Sequence, residues 1–207
     1  MDYSIIVPCH NLENEIKNLL LSFHMLNLQD IDYEIIFVLD NCTDKTQDVI
    51  YSYMQDMNYK LIPCSVGAPG FARNVGLNAA TGNYIWFVDG DDWLINPDIL
   101  KQIKDYFKEA PEEDMIQIGF SSNYFKMQHY SMVWQYIFKK ELLKEARFND
   151  KQNTEDNDFM RDIFTVYRRN VELPYLSIPS YYYNYNRPGS QTTKLRENFN
   201  SENLKKS

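Results

Sequence analysis

The chain has 207 residues, of which 44% are hydrophobic and 24% are charged. These proportions are typical of a soluble globular protein with a full hydrophobic core, and they exclude collagen-like, low-complexity and wholly disordered chains. The 29 acidic residues outnumber the 21 basic ones, and the resulting formal charge of -8 disfavours binding of nucleic acid through its phosphates.

The sequence shows no clear segment for membrane insertion or secretion, and its cysteine spacing does not indicate disulfides. No stretch reaches the roughly 18 apolar residues that span a bilayer, and no basic segment precedes the first apolar run, as it would in a secretory signal. The three cysteines, Cys9, Cys42 and Cys64, are widely spaced without a CxxC pair, which favours reduced thiols. We therefore expect a cytoplasmic protein without a transmembrane segment; peripheral contact with the inner face of a membrane is left open.

The first half of the chain alternates between strand and helix spacing. Short apolar runs predict strands over residues 4–7, 33–39, 59–63 and 84–88. Apolar residues at helical spacing predict three helices between them: 12–23, a second helix capped by Thr43 and running through residue 57, and 69–80. Strands that are apolar on both faces and separated by helices predict an α/β fold, with a mostly parallel, Rossmann-like central sheet covered by helices on both faces.

The second half is less regular. It predicts a helix over 99–107, a strand over 115–120, a helix over 155–169 and an extended segment over 175–185, with a mixed region at 124–148. The last residues, 194–207, have little apolar content, so we expect a frayed tail there. No repeat or low-complexity linker occurs, which favours one compact domain.

Polar residues follow three of the predicted strands. They occupy residues 9–11, 40–41 and 89–92. Because ligands of parallel α/β sheets bind outside the carboxyl ends of the strands, we expect these three segments to meet at one edge and form the site.

The acidic segment 89–92 reads Asp-Gly-Asp-Asp. Carboxylates at positions i and i+2, with a glycine between them, supply hard oxygen ligands for a divalent cation that also binds phosphates. The alternative is an acidic turn in which Asp92 or Asn96 caps the next helix. The spacing leaves both interpretations open.

Two further segments each allow a functional and a structural interpretation. Residues 67–74 combine glycines, a proline at a helix start and Arg73, which can bind an anion or simply form a turn. Residues 153–156 can simply begin a helix. However, Asp156 falls on the apolar stripe of that helix, where a carboxylate can act as a base, whereas Glu155 aligns with its polar side. We therefore prefer Asp156 as the base.

Taken in order, these segments resemble the family 2 glycosyltransferases, which have the GT-A fold. The resemblance rests on five segments. The first strand with its loop covers residues 4–11, and the second-strand Asp with its turn covers 37–46. The Ala-Arg-Asn-x-Gly and Gly-x-Tyr-Ile elements cover 70–77 and 80–85, and the DxD region covers 87–92. Three further segments match more loosely. They are a Trp-containing segment at 133–142, the Glu-Asp motif at 155–159, and a closing element of Tyr, Arg, Ser and Thr at 182–192.

The resemblance implies a role for each matching residue. Pro8, His10 and Asp40 would contact the nucleotide base. Arg73 would contact the nucleotide, and Asp89 would contact the ribose. Asp91 would bind Mn²⁺ or Mg²⁺, Asp156 would be the catalytic base, and Arg187 and Ser190 would lie near the diphosphate. Residues 1–95 would form the donor-binding half of the domain, and 96–193 the acceptor-side half that carries the base.

The leading hypothesis is a metal-dependent, inverting glycosyltransferase that uses a nucleotide-diphosphate sugar, with UDP as the favoured nucleotide. Its acceptor would be a glycan, a lipid-linked molecule or a protein. The alternatives are a nucleotidyltransferase acting on a sugar phosphate and a catalytically silent binding module with the same fold.

Overall fold

The structure is a computed structural model that describes residues 1–123, 132–149, 151, 154–167 and 173–185. Within these residues, the fold is built on one eight-stranded sheet. The strands are β1 Tyr3–Cys9, β2 Tyr33–Asp40, β3 Tyr59–Cys64, β4 Tyr84–Phe87, β5 Trp93–Leu94, β6 Met115–Ser122, β7 Tyr136–Lys139 and β8 Tyr175–Tyr183. The helices are α1 Lys17–His24, α2 Thr46–Tyr53, α3 Pro69–Ala79, α4 Ile99–Glu109 and α5 Glu155–Tyr167, with two 3₁₀ helices at Val133–Gln135 and Lys140–Leu143.

The strand order across the sheet is β3-β2-β1-β4-β7-β6-β8-β5. The four strands of the first half pair in parallel, as do β6 and β8, whereas β7 runs antiparallel to both of its neighbours and β5 runs antiparallel to β8. The predicted α/β fold with a mostly parallel sheet is therefore confirmed. Its carboxyl edge in the first half is formed by the ends of β1, β2 and β4.

Two hydrophobic clusters cover the two faces of the sheet. Strand β1 alternates between them, since Ile5 and Val7 belong to one cluster and Ile6 to the other, and all three are fully buried. The first cluster includes buried residues of α1, α2 and α4, and the second includes those of α3 and α5. This double burial is the reason that the strands are apolar on both faces.

Helix α3 lies unusually close to strand β1. A Cβ atom added at Gly76 would be only 2.3 Å from Cγ2 of Ile6, far inside van der Waals contact. Glycine at this position therefore lets the helix approach the sheet. The close approach brings Arg73, one turn earlier on the helix, towards the carboxyl edge.

A buried carboxylate lies at the opposite, amino end of the sheet. Glu34 is fully buried on β2, where it accepts hydrogen bonds from Ser4 Oγ and from Thr81 N and Oγ1, each at 2.7 Å, and pairs with Lys60 Nζ at 2.6 Å. Burial acts to raise the pKa of Glu34, but these donors outweigh it and lower the pKa to about 2. This carboxylate connects the amino ends of three strands.

The structure differs from the sequence prediction in several elements. Helix α2 begins at Thr46 rather than after a Thr43 cap, and Asp44 accepts the Thr46 N–H at 3.0 Å instead. The sequence does not predict β5, which contains only two residues, or β7, which lies in the region 124–148 that has a mixed pattern. The predicted tail at 194–207 lies outside the described residues.

Among the described residues, none of the helices combines the length and the apolar character needed to cross a bilayer.

Candidate active site

The loops that follow β1 and β2 are joined by direct hydrogen bonds. The Nδ1–H of His10 donates to the backbone carbonyl of Asp40 at 2.8 Å, and Oδ1 of Asn11 accepts the N–H groups of Thr43 and Asp44 at 2.8 and 3.3 Å. Because a carbonyl can only accept, this bond assigns the hydrogen of neutral His10 to Nδ1 and leaves Nε2 as an acceptor. His10 is solvent-exposed, so this nitrogen can meet a ligand.

Both loops turn through a left-handed residue. Asn11 and Asn41 have φ values of 52° and 50°, a conformation that asparagine tolerates better than most side chains. Each asparagine comes directly after or near the end of its strand, so the chain reverses sharply there. The two predicted segments 9–11 and 40–41 therefore do meet at one edge.

Asp40 is a buried carboxylate that hydrogen-bonds to neighbouring segments at this edge. It is only 5% exposed, and its Oδ1 accepts the N–H groups of Val66 and Gly67 at 2.8 and 3.1 Å and the side-chain amide of Asn41 at 2.9 Å. It thus joins the end of β2 to the segment that leads into α3. Pro8, the other predicted base contact from this edge, is half-buried near the end of β1.

The acidic turn at 89–92 follows β4 at the same edge. Its last carboxylate, Asp92, is buried, with Oδ2 accepting the Tyr181 hydroxyl at 2.6 Å and Oδ1 accepting the Asn184 N–H at 2.8 Å. Burial, together with the nearby charges of Asp91 and Asp89, raises the pKa of Asp92 well above its usual range. The interpretation of Asp92 as a helix cap is therefore not supported, since its carboxylate accepts hydrogen bonds from Tyr181 in β8 and from Asn184 just beyond that strand.

Arg73 connects this turn to helix α5. Its Nη2 lies 2.8 Å from Asp89 Oδ1, and its Nη1 lies 3.1 Å from Glu155 Oε1 and 3.0 Å from Asp156 Oδ1. The Arg73 side chain is 5% exposed, and Phe148 lies beneath the guanidinium at 5.4 Å. Its Nε is buried and has no hydrogen-bond partner within the part of the chain that the structure describes. One cation is therefore shared by three carboxylates.

Asp156 is the predicted base, and it lies in this cluster. Its second oxygen accepts the Val133 N–H at 3.2 Å. Burial raises the pKa of Asp156 to about 6, because the opposing attraction of Arg73 is offset by the charges of Asp89 and Glu155. A carboxyl group that titrates close to neutrality is suited to accept a proton from an alcohol.

Glu155 occupies a different position from the one expected. The helical pattern places it on the polar side of α5, but it is 7% exposed and pairs with Arg73. The physical reason is local: the buried guanidinium attracts both carboxylates at the start of the helix. Asp156 nevertheless precedes the buried stripe that includes Phe159, Met160 and Ile163, as predicted.

The described residues contain no group of three or more His, Cys, Asp or Glu side chains arranged to hold a metal. Magnesium-type cations, however, are commonly held by one or two carboxylates together with the phosphates of a substrate. The acidic turn fits that arrangement, because the mutual repulsion of its carboxylates is what a divalent cation would relieve.

Two predicted site residues, Arg187 and Ser190, lie outside the described residues. The structure also adds residues that the sequence did not indicate, namely Tyr181, Asn184 and the backbone of Val133. Tyr181 and Asn184 lie in segment 175–185, for which the sequence predicts only an extended conformation. No spacing rule connects that segment to the acidic turn about ninety positions earlier.

Comparisons with known proteins relate this chain to a sequence family and to individual relatives. A model of the family described as Glycosyl transferase family 2 matches residues 4–172. Poly(ribitol-phosphate) beta-N-acetylglucosaminyltransferase TarS from Staphylococcus aureus (strain Mu50 / ATCC 700699) is 35% identical over 111 residues, which are 53% of this chain and 19% of TarS. The uncharacterized glycosyltransferase EpsJ of Bacillus subtilis (strain 168) is 27% identical over 222 residues, covering 83% of this chain and 63% of EpsJ.

Solved structures show the same architecture. The crystal structure of S. aureus TarS 1–349 in complex with UDP-GlcNAc matches with a TM-score of 0.81 and 26% identity, covering 93% of this chain and 61% of that one. The mannosyltransferase PcManGT from Pyrobaculum calidifontis, in complex with GDP-Man and Mn²⁺, matches with a TM-score of 0.70 at 17% identity, which shows a common fold. The chain thus spans less than two thirds of the length of each of these relatives.

Proposed function

Because this chain belongs to glycosyltransferase family 2, we propose that it transfers a sugar from a UDP-linked donor to an acceptor hydroxyl. The observation that carries the proposal is the cluster in which Arg73 holds the carboxylates of Asp89 and Asp156 at 2.8 and 3.0 Å. It joins the end of a donor-side strand to a carboxylate that can act as a base. The TarS structure that binds UDP-GlcNAc supports UDP as the nucleotide.

In the proposed reaction, Asp156 accepts the proton of the acceptor hydroxyl. The oxygen then attacks the anomeric carbon, the bond from that carbon to the diphosphate breaks, and the configuration inverts in this single displacement. The pKa of about 6 means that Asp156 is mostly ionised at neutral pH and can begin the reaction as a carboxylate. The Val133 N–H and Arg73 hold both of its oxygens in fixed directions.

On the donor side, we propose that Pro8, His10 and Asp40 contact the base and Asp89 contacts the ribose. Nε2 of the exposed His10 is an acceptor that a base can use. Arg73, predicted to contact the nucleotide, lies on this side through its pair with Asp89. The predicted diphosphate contacts of Arg187 and Ser190 stay part of the proposal.

We propose Asp91 as the carboxylate that holds Mn²⁺ or Mg²⁺ together with the donor. When bound, such an ion would neutralise the negative charge that develops on the leaving diphosphate. The acidic turn places Asp91 between Gly90 and the buried Asp92, near the end of β1. Burial raises the pKa of the Cys9 thiol there, and the charge of Asp91 contributes to the rise.

The test is donor binding in the full chain. A panel of nucleotide sugars, measured by thermal stabilisation with Mn²⁺, should identify a UDP-sugar that raises the melting temperature. Calorimetry of Asp91→Ala should then show that Mn²⁺ no longer strengthens binding of that donor. Asp105→Ala, which removes an exposed aspartate from α4, is the matched control and should keep the metal effect.

The possible results separate the parts of the proposal. If no nucleotide sugar stabilises the protein, the proposed UDP-sugar donor is contradicted. A complete absence of donor hydrolysis and transfer, with glycan binding intact, would favour a silent binding module. If Asp91→Ala keeps the full Mn²⁺ effect, Asp91 is not the metal ligand. Release of pyrophosphate from a nucleoside triphosphate and a sugar phosphate would instead indicate nucleotidyl transfer.

A further inference from the structure

The acidic turn that carries Asp91 is fastened at its far end to strand β8 and the residue just beyond it. Both oxygens of Asp92 accept hydrogen bonds there, one from the Tyr181 hydroxyl at 2.6 Å and one from the Asn184 N–H at 2.8 Å. The next residue, Trp93, begins strand β5, which pairs antiparallel with β8. The carboxylate of Asp92 is therefore an anchor inside the protein.

Tyr181 also holds the near end of the turn. Its hydroxyl oxygen, while donating to Asp92, accepts the backbone N–H of Asp89 at 3.1 Å. The Tyr181 ring is fully buried and stacks on Trp134 with a centroid distance of 4.5 Å and an interplanar angle of 10°. One rigidly packed hydroxyl thus bridges the first and last residues of a four-residue turn.

The middle of the turn is fixed from the other side. A Cβ atom at Gly90 would lie 2.5 Å from Cδ1 of Leu12, so the backbone of the turn packs closely against the Leu12 side chain. Asp91 lies between these two fixed points. Its position is consequently set by Gly90 on one side and by the Tyr181–Asp92 pair on the other.

A purely structural explanation accounts poorly for this choice of residues. A buried carboxylate beside Asp89 and Asp91 costs free energy in folding, and apolar side chains of similar size would fill the space at lower cost. We infer that Tyr181 and Asp92 are positioning residues that set the geometry of Asp91, so that metal-dependent binding of the donor depends on strand β8. This inference rests on the proposed function.

Tyr181→Phe tests it, because this substitution keeps the stacked ring and removes only the bridging hydroxyl. The matched control is Tyr3→Phe: Tyr3 is also fully buried, and its hydroxyl donates to the Leu100 carbonyl at 2.6 Å, away from the acidic turn. The dissociation constant of UDP is measured by calorimetry, once with Mn²⁺ and once with a chelator, alongside the melting temperature.

We expect Tyr181→Phe to weaken the binding of UDP in Mn²⁺ by about tenfold, as for the loss of one buried hydrogen bond, and to leave binding in chelator nearly unchanged. Tyr3→Phe should lower the melting temperature by a similar amount and leave both dissociation constants at the wild-type value. A Tyr181→Phe variant that behaves like Tyr3→Phe would overturn the inference.

A double-mutant cycle gives a second measurement. If Tyr181 acts through Asp92, then Asp92→Asn should reduce the Mn²⁺ effect, and the double variant should lose less than the sum of the two single losses. Additive losses would contradict the coupling. Wild-type protein that binds UDP with no Mn²⁺ effect would count against the proposed metal-dependent function itself, independently of how the variants behave.

Discussion

Two carboxylates at opposite ends of the sheet, the fully buried Glu34 and the largely buried Asp156, have opposite pKa shifts. Glu34 has its own set of donors from Ser4, Thr81 and Lys60, and its pKa falls to about 2. Burial raises the pKa of Asp156 to about 6, because Asp156 shares Arg73 with two other carboxylates whose charges offset its attraction. Burial alone therefore does not mark the active end of the domain. The supply of donors decides which carboxylate is a permanent structural anion and which can exchange a proton.

The largest expected effect comes from Asp156→Asn, which removes the carboxylate that can exchange a proton. We expect sugar transfer to fall by about a hundredfold to ten-thousandfold, while the donor still binds, because only the base is lost. Transfer rates with the donor found in the binding panel, together with calorimetry, measure both properties.

The stability of the same variant is its control. The raised pKa means that ionised Asp156 destabilises the fold as the pH rises through about 6, so the neutral amide should not lower the melting temperature at pH 7 to 8. Transfer at the wild-type rate would remove Asp156 from the mechanism, and a collapsed melting temperature would show that it is structural.

Removing the shared cation should have the next largest effect. Arg73→Met leaves three carboxylates without their common partner, and we expect it to lower the free energy of unfolding by about 3–5 kcal/mol at pH 7. In this variant the pKa of Asp156 rises further, because the attraction of Arg73 is lost, so protonation of Asp156 should recover part of the loss towards pH 5. Urea unfolding at several pH values measures this dependence, and Arg73→Lys should lose less because it keeps the charge.

Glu34→Gln is the comparison for Arg73→Met. The folded pKa of Glu34 is lowered, so its stabilising contribution is fully present above about pH 4.5 and disappears only as the pH falls towards about 2. The loss in Glu34→Gln should therefore be as large at pH 5 as at pH 7. If the two variants respond to acid in the same way, the two ends of the sheet do not differ as the contacts indicate.

The smallest expected effect is the pH dependence of the wild-type protein. Transfer should decrease about tenfold for each pH unit below about 6, as Asp156 takes up a proton. Turnover at a saturating donor concentration, measured between pH 5 and 8, provides the profile. A flat profile through pH 6 would show that Asp156 does not control the rate.

The sequence predicted the parts of the fold that rest on local patterns. The four parallel strands and the helices between them follow from apolar runs and helical spacing, and the three polar segments do meet at the carboxyl edge as expected. The strands β5 and β7 depend instead on pairing with distant partners. A two-residue strand such as Trp93–Leu94 is defined only by β8, so no local signal could reveal it.

The site was predictable in its residue types but not in their division of labour. The acidic turn offers three aspartates, and only the fold shows that Asp92 is bonded to Tyr181 and that Asp89 is paired with Arg73. Likewise, the helical pattern placed Glu155 on a polar side, and the buried Arg73 draws it inward. Long-range charge pairing of this kind leaves no periodic trace in the sequence.

The bond between Asp92 and Tyr181 also has a consequence for the order in which the protein assembles. It joins positions 89 residues apart, so a large loop must close before the acidic turn takes its final shape. A nascent chain that ends at residue 95 would contain His10, Asp40 and all the acids of the turn, yet it would lack the strand that holds the turn in place. Competence to bind the donor should therefore be acquired late in synthesis, when β8 docks, although most of the residues concerned are made first.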